Sequence, residues 1–135
     1  MPFELRPEPH PTLRSEREYL RRAWAQSVYP LARRMGVEIR LPPVSPQPHT
    51  HLAWEGFQFA KGHGRASEYN HRVLEAFFVE GLDIGRPDVL ARLAGEAGWG
   101  AKGVLDLHRI ADLAAESRQT KAVTRPARAR KARAR

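Results

Sequence analysis

Cysteine is absent from all 135 residues of the chain. A chain with no thiol forms no disulfide, no thiolate nucleophile, no Cys-x-x-Cys redox pair and no thiolate zinc site. Reactions that need a thiol or a thiolate are therefore excluded for this polypeptide acting alone.

Long apolar runs are absent as well. No segment approaches the roughly 18 consecutive apolar residues that a membrane-spanning helix needs. The opening residues, MPFELRPEPHP, are too polar and too rich in proline for a secretory signal peptide. We therefore expect a cytoplasmic protein with no membrane partner.

Acidic side chains are missing from the end of the chain. Residues 117–135 hold eight of the 23 lysines and arginines and none of the 15 acidic residues, so the rest is balanced at 15 of each. Arg-Ala alternation buries too little apolar surface to offset the entropy of ordering, so this tail is expected to be disordered and to bind polyanions weakly and without specificity. The residues expected to contact a polyanion are Arg125, Arg128, Arg130, Lys131, Arg133 and Arg135.

Short amphipathic segments fill the rest of the chain, and hydrophobic residues, at 41% of the sequence, suffice for one core. Four prolines between positions 2 and 11 suit an extended arm over residues 1–14. Ser15 followed by Glu18 forms a capping-box pattern, which predicts that a helix begins at Ser15. The apolar stripe expected on this helix consists of Tyr19, Leu20, Ala23 and Trp24.

Pro30 interrupts that pattern, and two arrangements remain open. Either Ser27 caps a second short helix that runs to Met35 and ends at Gly36, or one helix continues with a kink at the proline. Alternating apolar residues over 37–41 then predict a brief extended segment, which a proline-rich linker follows.

Three further helices are predicted from apolar spacing and from residues that mark helix ends. Thr50 is expected to cap a third helix over residues 51–61, and a fourth is expected over 67–80. The fifth begins at Pro87, since proline fits a first helical turn, and ends at Gly98.

The chain therefore divides into four segments. An extended arm occupies residues 1–14, a helical domain 15–98, an additional helix of atypical sequence 99–116, and the disordered basic tail 117–135. We expect the fold class to be mainly α.

Two stretches resemble one known family. PFELRPEP, at residues 2–9, is similar to the end of the second strand and the following loop of DsbA-like thioredoxin-fold proteins, of the kind called FrnE-like or grouped with 2-hydroxychromene-2-carboxylate isomerases. AFFVEGLDIGRPDVLARLAGEAG, at residues 76–98, resembles the helix, turn and helix that close the helical insertion of that family. The spacing between the stretches also fits, so the resemblance covers about residues 2–98.

The resemblance implies a fold together with a chemistry that this chain lacks. It implies the helical insertion of a DsbA-like protein, which roofs the active site, with most of the thioredoxin β-sheet missing. In such proteins a Cys-x-x-Cys at a helix start precedes this region and a cis-proline loop follows it. Neither is found here, so no catalytic, cofactor-binding or metal-binding residue carries over. We expect Met1 to be an internal start and residues 99–135 to be read in a shifted frame or to be otherwise aberrant.

Three interpretations of function remain open. The resemblance implies a fragment of a DsbA-family thiol-disulfide oxidoreductase that is inactive alone, or a fragment of a glutathione-dependent isomerase or transferase of the same fold. The third interpretation is a helical interaction module with a polyanion-binding tail. Apolar helix faces that would pack on a missing sheet are expected to be exposed, which predicts self-association. No cofactor is expected.

The remaining candidate residues have simpler explanations. His49, His51 and Glu55 offer metal-binding atoms, but a third well-placed ligand and a second shell are lacking, so a loop and helix cap is expected. Glu80 and Asp83 are adjacent carboxylates that a helix end explains. Aromatic spacing favours helical core over a ligand pocket, although the resemblance implies that some rings contact a substrate or partner in an intact protein. These rings belong to Trp54, Phe57, Phe59, Phe77 and Phe78.

Overall fold

The computed structural model describes residues 4–100 and the single positions 109, 112 and 116. Within that part the chain is helical and contains no strand, which confirms the mainly α fold expected from the sequence. None of the described helices is long and apolar enough to cross a membrane. The helical elements are α1 (Glu18–Ala23), a π turn (Trp24–Val28), α2 (Tyr29–Met35), α3 (His51–Gly62), α4 (Ala66–Phe78) and α5 (Pro87–Glu96).

The first helix begins at Glu18, and the capping box predicted at Ser15 is wrong. The Ser15 hydroxyl lies 3.3 Å from the carbonyl oxygen of Pro43 and 3.4 Å from that of Val44, and donates toward both. Arg17 occupies the N-cap position without a side-chain cap. The serine therefore fastens the proline-rich linker, and a local pattern could not reveal partners that lie so far along the chain.

One continuous helix runs through α1, the π turn and α2, so the separate second helix capped by Ser27 is wrong. The backbone at the start of α2 is already helical, and no side chain caps it. In the π turn the Tyr29 N–H donates to the Trp24 carbonyl, a wider spacing that accommodates Pro30, which has no N–H of its own. Gly36 ends the helix in the left-handed conformation, with φ at 67°, as predicted.

The apolar stripe expected on α1 is only partly buried. Leu20, Ala23 and Trp24 are half-buried, whereas Tyr19 is 72% exposed, so its assignment to a buried face is wrong. The physical reason is that the backbones of α1 and α2 stay away from α3, α4 and α5, and the continuous helix meets α4 through Trp24, whose ring centroid lies 6.1 Å from that of Phe78. The side of α1 that carries Tyr19 therefore has no helix to cover it.

Residues 37–50 form an extended linker that does not pair into a sheet. The Arg40 N–H donates to the Phe78 carbonyl (2.8 Å), and the Gln47 N–H donates to the Leu13 carbonyl (2.7 Å). These bonds tie the linker to α4 on one side and to the N-terminal arm on the other.

The N-terminus of α3 is capped from the arm. The Thr50 side chain makes no cap hydrogen bond, so the cap predicted there is wrong. The Glu4 carboxylate instead accepts hydrogen bonds from the N–H groups of Thr50 (2.6 Å) and His51 (3.2 Å). A carboxylate at this end satisfies donors that the helix leaves unpaired and interacts favourably with the positive end of its dipole.

Helices α3, α4 and α5 enclose the hydrophobic core. α4 ends at Phe78, slightly before its predicted end, while α5 begins at Pro87 and is followed by Gly98 with φ at 86°, as predicted. The buried core side chains are Leu52, Ala53, Ala60, Tyr69, Val73, Ala76, Ile84, Leu90, Ala91, Leu93, Ala94, Ala97 and Trp99.

The additional helix predicted within 99–116 lies mostly outside the described residues. Positions 109, 112 and 116 are helical and exposed. The basic tail over 117–135 and all six of its candidate polyanion contacts also lie outside them.

Candidate functional site

An apolar groove lies between α3 and α4. Its volume is about 190 Å³, and Thr50 and Asn70 contribute polar groups to a lining that is otherwise apolar apart from the Tyr69 hydroxyl. The bulky apolar side chains around the groove are Trp54, Phe57, Val73, Leu74, Phe77 and Phe78. A concave apolar surface of this kind is suited to holding apolar side chains.

Helical spacing brings the rings of the groove together. Trp54 and Phe57 are three residues apart on α3, and Val73 and Phe77 are four apart on α4, so each pair shares one helix face. The Trp54 and Phe57 ring centroids lie 6.1 Å apart with an interplanar angle of 88°, an edge-to-face contact. Phe57 and Phe77 pack against the core while remaining half-buried. One side of the Phe57 and Phe77 rings therefore contacts the core, and the other side lines the groove.

Tyr69 forms the floor of the groove. Its side chain is almost fully buried, and its hydroxyl donates to the Ala53 carbonyl at 3.3 Å. Its ring also packs against Trp99, with centroids 5.1 Å apart. Burial raises the pKa of the Tyr69 phenol, which therefore stays neutral even at an alkaline pH where an exposed tyrosine ionises. The phenol acts as a fixed, uncharged part of the wall.

The described lining of the groove is largely uncharged and apolar. Among the described residues that line it, none carries a carboxylate, an imidazole, an ammonium or a thiol. Nucleophilic and acid–base catalysis both need such a group within hydrogen-bonding reach of the substrate. The described lining is therefore suited to holding an apolar ligand.

A second cavity, of about 490 Å³, lies between the arm, the linker and the start of α5. Its charged groups already have partners within the chain. The His49 Nε2 lies 2.9 Å from the His10 carbonyl, the Asp83 carboxylate accepts from the Gly85 N–H at 2.9 Å, and Arg86 forms an ion pair outside the cavity. These contacts hold the turns in place, which makes the α3–α4 groove the stronger candidate site.

The histidines singled out from the sequence do not assemble into a metal centre. His49 contacts the arm, and Glu55 is exposed on α3. In the part of the chain that the structure describes, no group of three or more histidine or acidic side chains could hold a metal ion. His63 stacks on Phe59 with ring centroids 4.3 Å apart, and His71 is exposed on α4.

Arg72 joins α4 to α5 and was not singled out by the sequence. Its guanidinium lies 3.5 Å from Glu75, 3.1 Å from Glu80 and 2.6 Å from Glu96. Burial lowers the pKa of this arginine, but the hydrogen bonds that it donates to Glu80 and Glu96 outweigh that effect and raise the pKa. Glu80 is thereby committed to an ion pair, and with Asp83 held in its turn the two carboxylates form no acid–base pair. The i, i+3 spacing of Arg72 and Glu75 was the available signal.

Comparison with known proteins places this chain in a family. A model of the DSBA-like thioredoxin domain matches residues 2–130. The chain is 50% identical over 102 residues to the uncharacterized protein YwbO of Bacillus subtilis (strain 168), a match that covers 73% of this chain and 50% of that protein. The chain thus spans about half the length of this curated relative. The comparison with solved structures found no match for the chain. Since the family model covers nearly the whole sequence, the chain belongs to the family of DSBA-like thioredoxin domains.

Proposed function

We propose that the chain is the helical part of a DsbA-family thiol-disulfide oxidoreductase and that it carries no redox activity alone. The observation that carries this proposal is the family match over residues 2–130 in a sequence without cysteine. Disulfide exchange requires attack by a thiolate. In this proposal the thiols come from a thioredoxin half that the present sequence does not include.

The α3–α4 groove would then be the part of the enzyme that contacts its substrate. Unfolded chains, which are the usual targets of disulfide exchange, expose apolar side chains, and an uncharged groove accepts them with little sequence preference. Half-exposed rings such as Trp54 and Phe77 offer large contact areas with few rotatable bonds. The groove contributes binding, and the missing half contributes the chemistry.

Insulin reduction by dithiothreitol tests the inactivity of the chain. We expect the purified protein to leave the rate of insulin precipitation unchanged, because it has no thiolate to exchange. A thioredoxin-type oxidoreductase at equal concentration serves as the positive control. Clear acceleration by the cysteine-free chain would refute the proposal.

A hybrid protein tests the role of the groove. Residues of this chain replace the matched region of YwbO, and insulin reduction is compared for the hybrid and for YwbO itself. Leu74→Lys places a charge at the groove rim and is expected to raise KM about tenfold, which corresponds to about 1.4 kcal/mol of lost binding. Val37→Lys changes an equally accessible apolar residue outside the groove and should leave KM unaltered.

Inactivity of YwbO in the same assay would count against the redox assignment. Equal KM values for the Leu74 and Val37 variants would count against the groove as the substrate contact. Circular dichroism of each variant verifies that the helices are intact before the rates are compared.

A second proposal concerns the basic tail. Eight cations within residues 117–135, with no acidic residue among them, favour weak binding to polyanions through Arg125, Arg128, Arg130, Lys131, Arg133 and Arg135. Mobility-shift titrations with a nucleic acid at low and high salt, with and without residues 117–135, test it. We expect binding that weakens steeply with salt and disappears with the tail; binding that survives the deletion would reject the tail as the contact.

A further inference from the structure

The arginines on the α1–α2 helix differ from most other arginines in the described chain. Six arginines outside this helix form ion pairs with carboxylates, as Arg40 does with Glu38 at 2.7 Å. Among ion pairs between described residues, Arg22 with Glu18 is the only one on the helix. Exposed arginines that form no ion pair with any described residue are Arg21, Arg33 and Arg34 on the helix and Arg17 at its N-cap.

Large exposed apolar side chains occur on the same element. Tyr19, Leu31 and Met35 lie on the helix and Val37 directly after it, and each is between 48% and 72% exposed. Leu31 and Met35 are four residues apart, so both project from one side of α2. None of the four lines the α3–α4 groove or the cavity beside the arm.

One helix thus carries both unpaired cations and exposed apolar side chains. A partner that matches this surface is both anionic and apolar. Nucleic acid meets only the first requirement, because it binds exposed aliphatic side chains such as Leu31 and Met35 poorly and favours aromatic stacking. An acidic protein would need a shaped pocket for each protruding side chain. A lipid bilayer surface combines anionic headgroups with acyl chains. Because this interface is fluid, it accommodates protruding side chains without a shaped pocket.

We propose that the exposed face of the α1–α2 helix binds the surface of an anionic lipid bilayer. Leu31 and Met35 enter the boundary between headgroups and acyl chains, and Arg34 beside them and Arg33 on the polar side of the helix attract the anionic surface. The helix lies in the plane of the interface, so this binding requires no membrane-spanning segment. The proposal is independent of the thiol-disulfide function, since it uses none of the groove residues.

Co-sedimentation with lipid vesicles tests the proposal on the full chain. Vesicles of phosphatidylcholine alone are compared with vesicles that also contain phosphatidylglycerol, at low and high salt. We expect binding to the anionic vesicles only, weakened by salt. Arg33→Gln combined with Arg34→Gln should lower the partition coefficient by about fivefold for each arginine removed.

Matched variants separate the helix from the basic tail, which also attracts anionic vesicles. Arg14→Gln with Arg40→Gln removes the same charge from exposed ion pairs elsewhere and should have much less effect. Leu31→Ser should lower partitioning about fivefold because apolar area no longer leaves water. Leu5→Ser, at an exposed leucine of the N-terminal arm, should not.

Three results would overturn the proposal. One is equal binding to neutral and anionic vesicles, or none to either. The second is equal loss of binding in the two double-arginine variants, which would assign the attraction to net charge. The third is strong binding to heparin together with vesicle binding that Leu31→Ser leaves unchanged, which would identify a polyanion surface. Circular dichroism of all variants verifies the fold.

Discussion

At the scale of single residues, the burial of Tyr69 makes the stability of the fold depend on pH. Burial raises the pKa of its phenol, so the folded protein keeps a proton that the unfolded chain releases. The resulting stabilisation is fully present below the ordinary tyrosine value of about 10 and is lost as the pH rises above it. We expect the free energy of unfolding in urea to be smaller at about pH 11 than at neutral pH.

Two conservative variants isolate this effect. Tyr69→Phe should lower the stability at neutral pH by about 1 kcal/mol, through loss of the hydrogen bond to the Ala53 carbonyl, and should flatten the alkaline decline. Tyr19→Phe removes a phenol from an exposed position and should retain the decline. An unchanged alkaline decline in Tyr69→Phe would mean that other groups cause it.

Residue patterns predicted some helix ends correctly and others wrongly, for a physical reason. Gly36 and Gly98 were predictable because a left-handed stop depends on the backbone freedom of the residue itself. The starts at Ser15 and Thr50 were not, because a cap depends on which partner reaches it. The Ser15 hydroxyl donates to the linker. The helix that Thr50 was expected to cap is capped by Glu4 of the N-terminal arm.

At the scale of elements, two glycines provide a matched test of helix termination. Gly36 has φ at 67°, and an added Cβ would meet no atom within 4 Å, so Gly36→Ala should cost about 1 kcal/mol from backbone strain alone. Gly62 lies within α3 and is equally open, so Gly62→Ala should instead raise stability by about 0.5 kcal/mol. Thermal unfolding of both variants measures the difference. Melting temperatures that shift in the same direction in the two variants would contradict the prediction.

The Arg72 cluster provides a test of how α4 and α5 are held together. Arg72→Leu leaves Glu75, Glu80 and Glu96 without their shared cation and should destabilise the fold by about 2 kcal/mol at neutral pH. The loss should shrink at high salt, which screens the attraction between the guanidinium and the carboxylates. Urea unfolding at low and high salt measures it, and Arg92→Leu, at a more exposed single ion pair, should cost less than about 0.5 kcal/mol.

The elements of the candidate site were predictable, but the groove was not. Spacing along the sequence indicated which faces of α3 and α4 carry Trp54, Phe57 and Phe77. Whether these rings are buried or line an opening depends on how closely the two helices pack and on what covers them. Periodicity within one helix contains no information on either distance.

At the scale of the whole molecule, exposed apolar faces predict self-association. The groove rim at Leu74 and the α2 side chains Leu31 and Met35 are uncovered in the described chain. Sedimentation velocity should show an average mass that rises with concentration. Leu74→Lys or Met35→Lys should reduce that rise, whereas a monomer at all concentrations would reject the prediction.

The core cluster comes from one uninterrupted stretch of chain, from Leu52 to Trp99. Closing contacts between such near neighbours costs little loop entropy, so this unit should form quickly. The arm and the α1–α2 helix contribute no side chain to that cluster, so we expect them to open at a lower free energy than the cluster itself. Among the described residues, a protease acting on the folded protein would therefore cut first ahead of His51 and leave α3, α4 and α5 whole.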